Sequence, residues 1–183
     1  MKTVKELIKK MRKETKVKLL PEDVILLLLF AQKDKPIVNR TVLIKEVFLT
    51  YKEILGKYGI EFTDPHFFGY KYGPFSYYVS DALWILEKNG LIKIDGRAKG
   101  RKEKFEITVK GIEKTKHLLG ILPKRIREKL LKEISLKRIS WDQWSREGIL
   151  NYVYKHYPEY AKKSKIKNKK KYMVTVWGQL FEE

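Results

Sequence analysis

The stretch at residues 67–111, FFGYKYGPFSYYVSDALWILEKNGLIKIDGRAKGRKEKFEITVKG, constrains the fold more than any other part of the chain. It opens on an aromatic run, residues 67–71, suited to a short strand. Gly73-Pro74 suits a helix start. Phe75, Val79, Ala82, Leu83 and Leu86 then recur at helical spacing, and Asn89-Gly90 ends the helix. Two strands follow, 91–95 and 101–108, joined by a glycine-containing basic segment at 96–102. The second strand alternates in part, with Phe105, Ile107 and Val109 on one side. Helix and ribbon each present one apolar face, so both need a shared core supplied from elsewhere in the chain.

That core is legible upstream. Residues 24–31, VILLLLFA, are apolar on every side and predict a central buried helix. Pro21 suits its first turn, and Glu22 and Asp23 complement its positive end. Asn39 can cap a second helix that runs to about Tyr58 and ends at Gly59. Its apolar set is Val42, Leu43, Val47, Ile54, Leu55 and Tyr58. Before both, Val4, Leu7, Ile8 and Met11 form one stripe of a basic surface helix, and residues 62–65 read as a loop. Downstream, Thr108 can cap a helix through residue 119. Pro123 starts another, to about residue 138, with Ile126, Leu130, Leu131 and Ile134 inward. Ser140 with Gln143 matches a capping box for a last helix that ends near Pro158. The expected class is α+β, mostly α. Helix, turn, helix and two-stranded ribbon is the layout of a winged helix-turn-helix core, with additional N- and C-terminal helices. Residues 1–120 make up that domain with its N-terminal helix. Residues 121–183 are a C-terminal helical extension with a basic arm, packed on the same core.

Charge narrows the function class. Lys+Arg number 41 against 22 Asp+Glu, a net charge of +19. Such an excess points to a polyanionic partner, nucleic acid before an anionic membrane. The excess is uneven: residues 96–140 carry +10, whereas residues 61–95 carry −2. The basic mass therefore begins at the expected wing, and the expected reading helix lies in the one net-acidic block. No apolar run approaches the length of a membrane span, and the N-terminus has no signal-peptide core. The expectation is a cytoplasmic protein without a membrane partner.

The candidate DNA-binding residues follow from this distribution. Arg97, Lys99, Arg101, Lys102 and Lys104 cluster around two glycines, where cations can replace condensed counterions on phosphates. The low-complexity run at 162–171, KKSKIKNKKK, offers Lys162, Lys163 and Lys165 as a clamping arm. At the helix start, Lys71, Ser76 and Tyr77 can approach the groove. The rest of its outward set, Ser80, Asp81, Trp84, Glu87 and Lys88, is poor in the Arg, Lys, Asn and Gln that read base edges. Backbone-led binding with modest base readout is expected. Tyr77 and Trp84 are alternatively a dimer or protein interface, because exposed aromatics favour interfaces. The tail at 172–181 turns apolar again, as a strand or a docking segment.

Residues 86–92 (LEKNGLI), the basic wing and residues 107–119 (ITVKGIEKTKHLL) together resemble winged-helix transcriptional regulators. Residues 40–49 (RTVLIKEVFL) followed by 70–83 (YKYGPFSYYVSDAL) are similar to a group of largely uncharacterised archaeal winged-helix proteins and to the Panacea or SocA-like antitoxin domain. Residues 149–167 (ILNYVYKHYPEYAKKSKIK) resemble the C-terminal segment of the archaeal group. The resemblance implies a winged-helix fold and a cytoplasmic location. Its members are DNA-binding regulators or protein-binding antitoxins and adaptors. The long basic wing and C-terminal part depart from the antitoxin pattern.

Enzyme chemistry finds no footing in the sequence. There is no cysteine. His66, His117 and His156 have no partner ligands at metal spacing, and no Gly-rich phosphate loop precedes a helix. Asp64-Pro-His66 reads as turn chemistry. The expectation is a non-enzymatic, homodimeric transcriptional regulator that binds duplex DNA, without metal or cofactor. A protein-interaction module of antitoxin or adaptor type is the alternative, and RNA binding a further one.

Overall fold

The apolar run near the N-terminus becomes helix α1 (Pro21–Ala31), and every residue from Val24 to Leu29 is buried. A helix without a polar face has to be wrapped on all sides. Four helices wrap it: α2 (Arg40–Leu49), α3 (Tyr77–Lys88), α4 (Val109–Ile121) and α5 (Lys124–Asp142). A sixth, α6 (Arg146–His156), packs on α2 and leads into a 3-10 turn, Pro158–Ala161. The structure, a computed structural model, describes residues 17–96 and 103–164. The architecture is α+β and mostly helical, with three small sheets among the described residues. Ile126, Leu130, Ile134, Trp141, Ile149 and Val153 of the C-terminal helices share one core with α1.

The sheets sit at the edges of this helical core. β1 (Lys18–Leu19) pairs in parallel with β3 (Glu61–Phe62), which adds a bridge where a loop was expected. β4 (Phe68–Tyr70) and β5 (Gly73–Phe75) form a tight hairpin. The third sheet has the order β2-β7-β6, from β2 (Ile37–Val38), β7 (Lys104–Ile107) and β6 (Ile92–Asp95). β6 and β7 run antiparallel from Ile92 opposite Ile107 to Asp95 opposite Lys104. Ile94, Phe105 and Ile37 lie side by side across the three strands, and all three are buried. That row fixes the register, because a one-residue slip would turn it to solvent. Gly111 lets α4 start close against β6: a Cβ there would lie 2.1 Å from the Leu91 carbonyl oxygen.

Two helix starts differ from the sequence expectation. Gly73 and Pro74 belong to β5, and α3 begins after Ser76, whose Oγ accepts the Val79 N–H (3.1 Å). Pro74 is tolerated there because β5 is an edge strand. The Ser140–Gln143 capping box does not form. α5 continues through Ser140 to Asp142, which buries Arg138 and Trp141, and the cap passes to Ser145, which accepts the Gly148 N–H. Two other expected caps form, with Asn39 accepting the Thr41 N–H and Thr108 that of Gly111. Beyond α2, Thr50 Oγ1 donates to the Glu46 carbonyl (2.8 Å), a bond that competes with the backbone ladder. The helix widens to a π turn over Thr50–Ile54, tightens over Leu55–Tyr58 and ends at Gly59 with φ 63°.

The C-terminus of α1 has no glycine or basic residue in its last turn. Arg138 of α5 supplies the missing donors. It is fully buried and donates to the carbonyls of Leu28 (3.3 Å), Gln32 (3.4 Å) and Lys35 (2.8 Å). The Leu28 carbonyl belongs to the last turn of α1, where no intrahelical donor is guaranteed; the Gln32 carbonyl also accepts the Lys35 N–H (2.9 Å).

Candidate nucleic-acid interface

The face of α3 turned from the core is aromatic. Val79, Ala82, Leu83 and Leu86 form its buried stripe, as the spacing predicts. Tyr77 and Trp84 are 61% and 56% exposed, so neither is covered by the described helices. Tyr78 and Ile85 extend the exposed surface, and Lys88 Nζ lies 4.6 Å from the Trp84 ring centroid. Asp81 is exposed one turn beyond Tyr77. Ser76 has to be removed from the outward set. It is fully buried, donates to the Pro65 carbonyl and caps α3, so its hydroxyl is committed to local structure.

The β4–β5 hairpin continues that face. Phe68, Tyr70, Phe75 and Tyr77 form a contiguous ring cluster, with centroids 5.2 to 6.0 Å apart. Lys71, at the hairpin turn, places Nζ 5.4 Å from the Tyr70 ring centroid. Ser164 Oγ donates to the Lys71 carbonyl (3.4 Å), which ties the end of the segment following the 3-10 turn to the hairpin. Lys71, Lys162 and Lys163 are all exposed. Lys71 thus lies beside Tyr70 at the hairpin turn, and Lys162 and Lys163 lie on the segment between the 3-10 turn and Ser164.

The ribbon presents Lys104 to solvent at its base. Arg40 grips Glu103 with two hydrogen bonds of 2.8 Å and lies over the Phe105 ring. The Glu103 hydrogen bond holds the Arg40 guanidinium above its ordinary pKa. Asp95 pairs with Lys93 at 2.7 Å. Both acids at the ribbon base are therefore engaged by cations of the chain. Arg97, Lys99, Arg101, Lys102 and Lys165 lie outside the described residues, as do the expected N-terminal helix and the apolar tail.

Three buried charges escaped the sequence reading. Lys45 is buried, donates to the Pro74 carbonyl (2.7 Å), and is pushed down to about 7 by burial and by Arg146. Glu46 is pushed up to about 8 by burial, against the pull of Arg138. The nearest approach of Arg138 to Glu46 is 3.9 Å, from an Nε that makes no hydrogen bond among the described residues, while its Nη donors are turned to backbone carbonyls and to Asp142. Desolvation therefore outweighs attraction, and Glu46 keeps its proton at neutral pH. A signal for Arg138 existed: Ile126, Leu130, Ile134 and Arg138 recur every four residues on one helix face.

Among the described residues no cluster of His, Asp and Glu could hold a metal ion. Asp64 Oδ1 accepts the His66 N–H (2.8 Å), the turn bond expected of Asp-Pro-His. An open recess of about 550 Å³ is lined by Lys52, Glu53, Gly56 and Lys57. Its carboxylate is occupied by Tyr152 (2.9 Å), Tyr157 (3.3 Å) and Lys137 (3.2 Å). No described helix is long and apolar enough to cross a membrane. No family model, curated protein or solved structure matches the chain.

Proposed function

We propose that the chain is a winged-helix DNA-binding protein, a homodimeric cytoplasmic regulator that grips duplex DNA mainly through its phosphates. One observation carries this reading. The antiparallel β6–β7 ribbon directly follows α3, and the residues connecting its strands, 96–103, hold Arg97, Lys99, Arg101 and Lys102 against the single acid Glu103. Glu103 itself is paired with Arg40. Lys71, Lys162, Lys163 and Lys165 extend the footprint. The exposed face of α3 adds shape and apolar contact more than base-edge hydrogen bonds, since Tyr77, Asp81 and Trp84 are weak readers of base pairs.

Binding of this kind is salt-dependent, with log K falling by about 0.9 per phosphate contact against log salt. Titration of a duplex at two salt concentrations tests it. Negligible affinity at low salt, or affinity that barely changes with salt, would sink the reading. Neutralising Arg97, Lys99, Arg101 and Lys102 together should weaken binding to every duplex sequence and lower the salt slope. Competition with a structured RNA separates the RNA alternative.

A second reading rests on the exposure of Trp84, Ile85 and Tyr77 on one helix. These residues suit a protein-interaction module of antitoxin or adaptor type. A stoichiometric protein partner released by Trp84→Ala, with duplex affinity unchanged, would favour it.

A further inference from the structure

We infer that Phe68, Tyr70, Phe75 and Tyr77 form a stacking platform for unpaired DNA bases beside the duplex. This rests on the DNA-binding reading above and adds to it a ligand class that a phosphate-gripping ribbon does not need. The rings face outward because the other side of the hairpin is closed. A Cβ at Gly69 would lie 3.0 Å from the Tyr160 carbonyl oxygen, so the 3-10 turn has that side sealed. The aromatic side is left open, with Tyr70 37% and Tyr77 61% exposed. Tyr70 and Tyr77 are the exposed members, held by edge-on and tilted contacts with the half-buried Phe68 and Phe75, and each base stacked on an exposed ring face gains about 1–3 kcal/mol, whatever its identity.

The charges around the rings select the occupant. Lys71 borders Tyr70, its Nζ 5.4 Å from the ring centroid. A single strand places bases and phosphates side by side and so matches rings bordered by cations. An apolar protein surface would leave Lys71 without counter-charge. Asp81, one turn past Tyr77 on α3, repels phosphates from the opposite border. The strand's backbone therefore runs along the Lys71 edge, with its bases turned onto Tyr70 and Tyr77.

The test compares three DNAs by fluorescence anisotropy with the full chain: a blunt duplex, the same duplex with a thymidine tail of about six nucleotides, and one with an abasic tail of equal length. The two tails carry the same phosphates and differ in bases alone. The base-bearing tail should bind about 5-fold or more tightly than the abasic one. Phe68→Leu with Tyr70→Leu should erase that difference and leave blunt-duplex affinity within about 2-fold. Equal binding of the two tails by the wild-type chain overturns the platform, as does a base preference that survives in the double variant. A melting temperature for the variant lower by more than about 5 °C shows the rings to be part of the fold, and also overturns it. If the blunt duplex itself fails to bind, the phosphate-led reading falls. The platform is then decided separately, by oligothymidine against an abasic strand.

Discussion

Helices α1 and α3 pack against each other but use their residues in opposite ways. α1 is buried on every side through Leu29, and its C-terminal carbonyls are satisfied by an arginine from a distant helix. α3 buries one stripe, caps itself with its own Ser76, and leaves Tyr77, Tyr78 and Trp84 in solvent. Cations divide in the same way. Arg138 and Lys45 are locked to backbone carbonyls in the interior, whereas Lys71, Lys162 and Lys163 are exposed to water. A net charge of +19 therefore says little until each cation is assigned to the fold or to a partner. Substitutions on the α1 side should change stability, and those on the α3 side should change binding.

The largest stability effect is expected at Arg138. Arg138→Ala removes donors from three carbonyls and the positive neighbour of Asp142. It should cost about 3–5 kcal/mol, the range for breaking a buried ionic group by removing one partner. Denaturant unfolding measures it. A loss below about 1 kcal/mol would mean that the end of α1 finds other donors, and the contrast between the helices would weaken.

Glu46→Gln comes next, and its effect depends on pH. Folding raises the Glu46 carboxyl from 4.5 to about 8. Between those values the folded state holds a proton that the unfolded state has released. The contribution of Glu46 to stability therefore falls as pH rises through the window, by up to about 1.4 kcal/mol per unit. Lys45 acts in the opposite sense, since folding lowers it from 10.5 to about 7. Between 7 and 10.5 the unfolded state holds the extra proton, and stability rises with pH. Glu46→Gln removes the first limb alone. The stability of the variant minus that of the native chain should grow from pH 5 to 8 and then level off. A difference that stays flat across that range would show that Glu46 ionises beside Arg138.

How far these features could be read from the sequence differs by region. α1, the caps at Asn39 and Thr108, and the buried stripe of α3 follow from local patterns, and the structure has them. The start of α3 did not, because Pro74 serves equally well at a helix N-terminus or on an edge strand, and pairing with Gly69 selects the strand. The Ser140 box lost to the burial of Arg138 and Trp141, a tertiary gain that no four-residue motif encodes. At the candidate site, Tyr77 and Trp84 are outward as the helical spacing implies. Ser76 is not, because its role depends on Pro65, eleven residues away in sequence. The ring cluster was hidden for the same reason: Phe68 and Tyr77 meet only once the hairpin folds back.

Ser76→Ala should cost less than either interior change. It deletes the cap of α3 and leaves the Pro65 carbonyl without its donor, a loss of about 1–2 kcal/mol. Duplex affinity measured well below the unfolding midpoint should be unchanged, since the hydroxyl is buried. An affinity loss larger than the stability loss would return Ser76 to the interface.

The smallest stability effect, and the sharpest contrast, lies between two tryptophans. Trp141 is 1% exposed and Trp84 56%. Truncating a buried tryptophan to alanine costs about 3–5 kcal/mol. Trp84→Ala should stay within about 0.5 kcal/mol of the native chain. The lost Lys88 cation–π contact is worth about 0.5–1 kcal/mol at an exposed site, and alanine returns part of it through its higher helix propensity. A ring this size in solvent with so little effect on folding is free to serve association. Sedimentation of Trp84→Ala against the native chain across a concentration series tests that use: a weaker self-association at equal stability makes Trp84 part of a dimer contact. Unchanged association leaves the residue to the heterologous partner of the second reading. A stability loss near that of Trp141→Ala would instead place Trp84 under parts of the chain beyond the described residues, and α3 would then resemble α1.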